Sequence, residues 1–339
     1  MNSESKQPAA ITPAPIMALS TAFWDAQVLL TANRMGLFQA LAEGPRGLNA
    51  LCAELTAEPR ALRLLLNACI ALGLLEEHES GYANAPMAAA FLVAGRPGYL
   101  GNAIRYSDNL YATWGRLEQA VHSGAPQMPS ADYLGGDEKI TRDFVYGMHD
   151  RALGVGRVLV ELVSLDGRRR LLDVGGGPGT YASLFAARYP GLEAVVLDLP
   201  GVVAHAQDII ASLGAAGRVQ TLAGSFHEIP FPGGNDAVLI SGVFHRESEA
   251  GCRKLIARAA DALEPGGLLI VSDVFADAGG ASPTFATLFG LNMLLTAPDG
   301  GVHADADVAD WMRAAGFDQV QTAAFPPPMP HRVVTGRKT

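Results

Sequence analysis

Four glycines within five residues form the most chemically suggestive stretch of the chain, Asp173-Val174-Gly175-Gly176-Gly177-Pro178-Gly179. An apolar strand runs into them and an amphipathic helix follows. Glycine accepts positive φ and lets a ligand approach bare backbone. The helix start behind the turn offers unpaired N–H groups to an anionic group. A dinucleotide site would place Gly or Ala at the third fingerprint position, where Thr180 stands here. The spacing Asp173-x-Gly175-x-Gly177-x-Gly179 instead suits a nucleoside that carries an amino acid. Asp198 closes the next strand, where a carboxylate reaches the two hydroxyls of a ribose. A tight turn with no ligand is the plain alternative.

A second cluster surrounds His245, just past another strand end. An imidazole ordinarily titrates near ~6.5, so it can take a proton at working pH. A phenol titrates near ~10 and gains from such help. Asp273 ends the following strand and can hold an imidazole in one tautomer. The alternatives are a histidine capping the next helix and a plain strand-end acid. His303 or Asp305 is a candidate for a third position, and Arg246 is expected to point to solvent. A metal cluster of His149, His245 and His303 has no ligand-type spacing to support it.

These residues need a scaffold. From Arg170 onward, short apolar runs alternate with helical patterns: strands at 171–174, 194–198, 219–222, 237–241 and 268–273, helices at 181–188, 202–213 and 249–263. That alternation predicts a mainly parallel, doubly wound α/β sheet covered on both faces, with ligands at the carboxyl ends of its strands. Upstream the period is helical. Helix at 48–55, turn at 56–59, a longer helix through Leu62, Leu66 and Ile70, and a hairpin after Gly73 outline a winged helix. We therefore read residues 1–15 as a disordered lead, 16–125 as a helical winged-helix-like domain, 126–168 as a helical linker and 169–339 as the ligand-binding domain.

Bulk properties exclude several classes. The 339 residues carry a net charge of −9, and 49% are hydrophobic. The densest basic run, Arg168-Arg169-Arg170, reads as a solvated loop, and the second winged helix carries only Arg60 and Arg63, so nucleic-acid binding is not expected. Cys52, Cys69 and Cys252 read as reduced thiols. No signal-peptide pattern or apolar run of membrane-spanning length is present, so a cytoplasmic protein without a membrane partner is expected.

The ordered set Leu171–Gly179, Val196–Pro200, Gly224-Ser225-Phe226, Val243-Phe244-His245, Leu263-Glu264-Pro265-Gly266-Gly267 and Leu291-Asn292-Met293 through Ala315-Gly316-Phe317 resembles the class I O-methyltransferases of the catechol, flavonoid and polyketide-tailoring type. The resemblance spans nearly the whole chain. It implies a Rossmann-like catalytic domain behind a winged-helix dimerisation domain, a homodimer, S-adenosyl-L-methionine as cofactor and a hydroxylated aromatic or polycyclic small molecule as acceptor. It also implies that Phe23 and Trp24 reach the partner subunit's pocket. Cofactor contacts are implied for Asp173, Gly175, Gly177, Asp198, Leu199, Ser225, Phe226 and Ser241. His245 is implied as general base with Asp273 steering it. Met148, Phe289, Asn292 and Met293 are candidate acceptor contacts, with Phe285 beside them; for the apolar ones plain core is an equal reading. No metal is implied. The chain departs from the family at Ser225, where Asp is usual, at Ser241, often Lys, and at His245-Arg246-Glu247, usually His-Asp-Trp. Those departures keep open a cofactor-binding relative with decarboxylating, hydroxylating or cyclising chemistry, or an N- or C-methyltransferase. A winged-helix regulator with a ligand-sensing domain is the third reading.

Overall fold

A computed structural model describes residues 11–339. Most of the expected disordered lead falls outside the described residues. Its last part does not stay irregular, because a helix begins at Ala14. Contacts divide the chain into two compact units, Met1–Tyr99 and Leu100–Thr339.

The first unit runs α1 (Ala14–Thr21), α2 (Phe23–Arg34), α3 (Leu37–Ala40), α4 (Leu48–Leu55), α5 (Pro59–Ala71), β1 (Leu75–His78), β2 (Gly81–Asn84) and α6 (Pro86–Phe91). The order α4, α5, hairpin is the winged-helix outline. Glu58 starts α5 by accepting from the N–H groups of Arg60 and Ala61, with Pro59 at the first helical position. Leu62, Leu66 and Cys69, at spacings of four and three, form its buried stripe. The hairpin turns at Glu79-Ser80, and Gly81 opens the returning strand. There φ is +127°, and a Cβ would lie 2.3 Å from the Arg46 carbonyl, so no other residue fits. Arg46 bridges Tyr82 as a third extended piece.

The second unit opens with α7 (Gly101–Trp114), α8 (Leu117–Ser123), an irregular π-type segment over Asp132–Gly136, and α9 (Glu138–Leu162). The side chain of Asp137 caps α9 at the Ile140 N–H, 2.8 Å away. Then follow β3 (Arg170–Val174), α10 (Thr180–Arg188), β4 (Glu193–Asp198), α11 (Pro200–Ser212), β5 (Val219–Ala223), β6 (Asn235–Ser241), a 3₁₀ turn at Phe244–Arg246, α12 (Glu249–Ala262), β7 (Leu263–Val274), α13 (Thr284–Thr296), α14 (Asp305–Ala314), β8 (Phe317–Ala324) and β9 (His331–Lys338). The sheet order is β5-β4-β3-β6-β7-β9-β8. The five strands from β5 to β7 are parallel; β9 and β8 run antiparallel at one edge. This is the Rossmann-like α/β sheet.

Alternate side chains cover the two faces. Leu171, Val196, Leu239 and Ile270 meet Leu159 of α9, Phe185 of α10 and Ile210 of α11. Leu172, Val238, Leu269 and Val271 meet Leu255 and Ile256 of α12 and Trp311 and Met312 of α14. Burying one such side chain is worth roughly 1.5–3 kcal/mol. A sheet buried on both faces therefore holds its carboxyl edge rigidly, and the chemistry-bearing residues sit along that edge.

Candidate active site

β3 delivers the glycine turn. Gly175, Gly177 and Gly179 take φ of +65°, +53° and +69°, the left-handed region that disfavours side chains. They serve different ends. A Cβ on Gly175 would come within 2.7 Å of Val243, and one on Gly179 within 2.8 Å of Ile210, so both are demanded by packing. A Cβ on Gly177 would meet nothing within 4 Å. Gly177 thus faces open space over the start of α10.

Two carboxylates lie beneath this space. Asp198, at the end of β4, accepts the Gly177 N–H at Oδ2 and the Leu199 N–H at Oδ1, each at 2.7 Å. An ionised carboxylate has about four acceptor sites, so lone pairs remain for a sugar diol. Burial pushes the Asp198 pKa up, although these two N–H groups and the charge of Arg246 oppose the rise. Asp173 is fully buried, and both of its oxygens lack a hydrogen-bond partner. Burial first, and the neighbouring Asp198 second, push it up to about 7. Orphaned acids are costly unless a cation or donor arrives. A cationic, amino-acid-bearing nucleoside supplies both, so the residues present fit S-adenosylmethionine.

The expected adenine side is also assembled at the strand ends. Ser225 and Phe226 follow β5; Ser225 Oγ accepts the His227 N–H, and Phe226 packs on the core beside Gly175. Arg258 of α12 holds this turn by donating to the carbonyls of Phe226 and Ile229. Ser241 ends β6 opposite Ser272, near the hydroxyl of Tyr181. Glu247 bonds to His227 at 3.1 Å.

His245 sits in the 3₁₀ turn after β6. Its Nδ1 lies 2.6 Å from Asp273 Oδ1, and its backbone N–H donates to Oδ2 at 3.3 Å. Val274 N–H adds a 2.7 Å bond to Oδ1. Burial alone would raise Asp273, but the His245 charge and these hydrogen bonds hold it below the usual carboxylate value. An acceptor-only carboxylate fixes the proton on Nδ1, leaving the Nε2 lone pair free. Phe289 of α13 meets the imidazole edge-to-face with centroids 4.8 Å apart.

Neither expected third residue touches the imidazole. His303 Nε2–H donates to the backbone carbonyls of Phe244 and Glu247, at 3.1 and 2.9 Å. Gly301 N–H donates to the His245 carbonyl at 2.9 Å. The 301–303 loop therefore pins the turn that carries the base. Asp305 pairs with Arg332 at 2.9 Å. His149 bonds through Nδ1 to Thr180 at 2.8 Å. Among the described residues no group of three or more His, Cys, Asp or Glu side chains could hold a metal ion.

Arg246 corrects an expectation: it does not point to solvent. Its guanidinium donates to Tyr133 Oη at 2.9 Å and Ser130 Oγ at 3.3 Å, and lies over the Tyr133 ring. Both hydroxyls then bond to the Thr296 carbonyl of α13. Tyr133 belongs to a hydrophobic cluster against which Trp114, Phe144 and Met148 pack. Asn292 accepts the Trp114 indole N–H at 3.0 Å. Met148, Phe289 and Asn292 are half-buried, while Met293 is buried and Phe285 is mostly exposed. The order of residues could not show the Arg246, Arg258 and Trp114 contacts, since their partners lie 29 to 178 positions away.

Comparisons with known proteins cover nearly the whole chain. Residues 114–318 match the O-methyltransferase domain model, and residues 17–94 match the O-methyltransferase dimerisation domain model. A Streptomyces sahachiroi 3-hydroxy-5-methyl-1-naphthoate 3-O-methyltransferase is 36% identical, covering 96% of this chain and 95% of its own. The tetracenomycin polyketide synthesis 8-O-methyl transferase of Streptomyces glaucescens is 34% identical, with 96% and 97% covered. Human N-acetylserotonin methyltransferase, solved with S-adenosylmethionine, superposes with a TM-score of 0.88 at 25% identity, with 98% and 99% covered.

Proposed function

The chain belongs to the O-methyltransferase family and is an S-adenosylmethionine-dependent O-methyltransferase; on that premise we propose that it methylates a phenolic hydroxyl of an aromatic or fused-ring small molecule, with His245 as general base. The observation that carries the base assignment is the 2.6 Å bond from His245 Nδ1 to buried, anionic Asp273.

The bound cofactor supplies an electrophilic methyl group. Asp173 and Asp198 match its positive charge and its ribose, and the bare backbone at Gly177 leaves room for its amino-acid end. Leu199, Ser225, Phe226 and Ser241 complete that cradle. Met148 and Phe289 offer a flat acceptor apolar and aromatic walls, Asn292 adds a polar amide, and Met293 packs behind them. His245 Nε2 takes the hydroxyl proton as the acceptor oxygen attacks, and Asp273 stabilises the resulting imidazolium. Alignment of oxygen and methyl supplies most of the rate, and proton removal adds typically ~10²–10⁴.

We further read the enzyme as a homodimer of secondary metabolism. The dimerisation-domain match and the exposed apolar side chains Ile16, Met17, Leu19, Phe23 and Trp24 support the first part. The polyketide role in the name of the S. glaucescens relative supports the second.

The test incubates purified protein with methyl-labelled S-adenosylmethionine and hydroxynaphthoic acids. Label is expected on oxygen, with His245→Ala slowing transfer roughly a hundredfold or more. Label on carbon or nitrogen, or transfer undiminished in His245→Ala, overturns the reading.

A further inference from the structure

We infer that Arg246 is a specificity residue that binds an acidic group on the acceptor, so that the preferred substrates are hydroxyaromatic acids. The inference rests on the acceptor site proposed above.

Three observations support it. First, Arg246 directly follows the base and turns inward, half-buried, against the fully buried ring of Tyr133. Second, no carboxylate of the described residues bonds it. A guanidinium carries five N–H donors. Two of them go to neutral hydroxyls, on Tyr133 and Ser130. Among the described residues no acid forms an ion pair with Arg246; Asp198 and Glu247 lie near enough to feel its charge but do not bond it. Third, the site is braced. Tyr133 and Ser130 both donate to the Thr296 carbonyl, one helical turn beyond Asn292, and Trp114 locks Asn292.

A purely structural strut would need hydrogen bonds, and a neutral amide can make those. A half-buried guanidinium that no carboxylate bonds directly is under-used as a charge. It gains most when a planar carboxylate meets the fork of remaining donors. The same charge would also favour the ionised form of a phenol whose proton His245 removes, but that benefit extends to every phenol. Discrimination between acidic and neutral acceptors is the signature peculiar to recognition.

The experiment compares 3-hydroxy-1-naphthoate with its neutral 3-hydroxy-1-naphthamide, each titrated calorimetrically into the protein–S-adenosylhomocysteine complex. The wild-type protein is expected to bind the carboxylate roughly ten- to hundredfold tighter than the amide. In Arg246→Gln that ratio should collapse to about unity, while Arg246→Lys, keeping the charge without the fork, should fall between. Equal wild-type affinities overturn the proposal even if the variants fail to fold. A preference that survives in Arg246→Gln, or equal weakening of both ligands there, overturns it as well. Failure of both naphthols to bind or accept a methyl group would instead bring down the aromatic-acceptor reading, and this inference with it.

Discussion

Replacing Asp273 by Asn tests how the base is held. All three groups that meet the carboxylate are donors: His245 Nδ1 at 2.6 Å, Val274 N–H at 2.7 Å and His245 N–H at 3.3 Å. An amide offers one acceptor and one NH₂. Placed with its oxygen at the Oδ1 position, it keeps two bonds, loses the longest, and buries an NH₂ against an N–H. The reverse placement loses the short Val274 bond and keeps one to Nδ1 only if the imidazole proton moves to Nε2, which disables the base. The first therefore wins, and it costs roughly 1–3 kcal/mol of stability for the unsatisfied donor. The catalytic cost is separate. The imidazolium that forms as the proton leaves loses an anionic neighbour. Hydrogen bonds to charged groups are worth about 1.5–3 kcal/mol, so kcat should fall about 10- to 150-fold. S-adenosylhomocysteine affinity should stay within about twofold, because the Asp273 carboxylate bonds His245 and Val274 and none of the glycine-turn residues. Stopped assays of kcat together with calorimetry of the product complex separate these effects. A folded Asp273→Asn protein with wild-type kcat would refute the base assignment.

Other outcomes follow from the same geometry. Cofactor affinity should depend on pH through Asp173: the free carboxyl, pushed up to about 7, is protonated below that value, whereas a cationic ligand favours the ionised form. Affinity should therefore rise roughly tenfold per pH unit below 7 and level off above it. Calorimetry near pH 6 in buffers of different ionisation heat should detect proton release, and Asp173→Asn should abolish it. Gly175→Ala meets Val243 at 2.7 Å and should lower stability by about 2 kcal/mol or more. Gly177→Ala meets nothing, so it should cost only about 1 kcal/mol in melting experiments, yet reduce cofactor binding by far more than that loss implies. Trp24→Ser removes a large exposed apolar side chain from the first unit and should shift dimer toward monomer in sedimentation at equal stability.

The parallel core of the sheet was legible because each strand is buried on both faces and so reads as an uninterrupted apolar run. The glycine turn and Asp198 were legible because a turn and its neighbouring strand end are close in sequence as well as in space. The antiparallel edge formed by β8 and β9 was not. β8 reads Phe317-Asp318-Gln319-Val320-Gln321-Thr322, mostly exposed, and β9 carries Arg332, Arg337 and Lys338, so neither shows the apolar signal of a central strand. The direction of Arg246 was illegible for another reason. Its partners, Ser130 and Tyr133, lie in and just before a π-type segment more than a hundred residues upstream, and only the fold brings them together. The role of His303 was half legible: its place near the base was expected, but its bonds run to the backbone of the turn and not to the imidazole.

Titrating S-adenosylhomocysteine into the wild-type protein and into Asp198→Ala tests the central claim most directly. The account predicts clear saturable binding by the wild type and a loss of roughly tenfold or more when the ribose carboxylate is removed. No measurable heat with wild-type protein, or equal affinity in the variant, would contradict it.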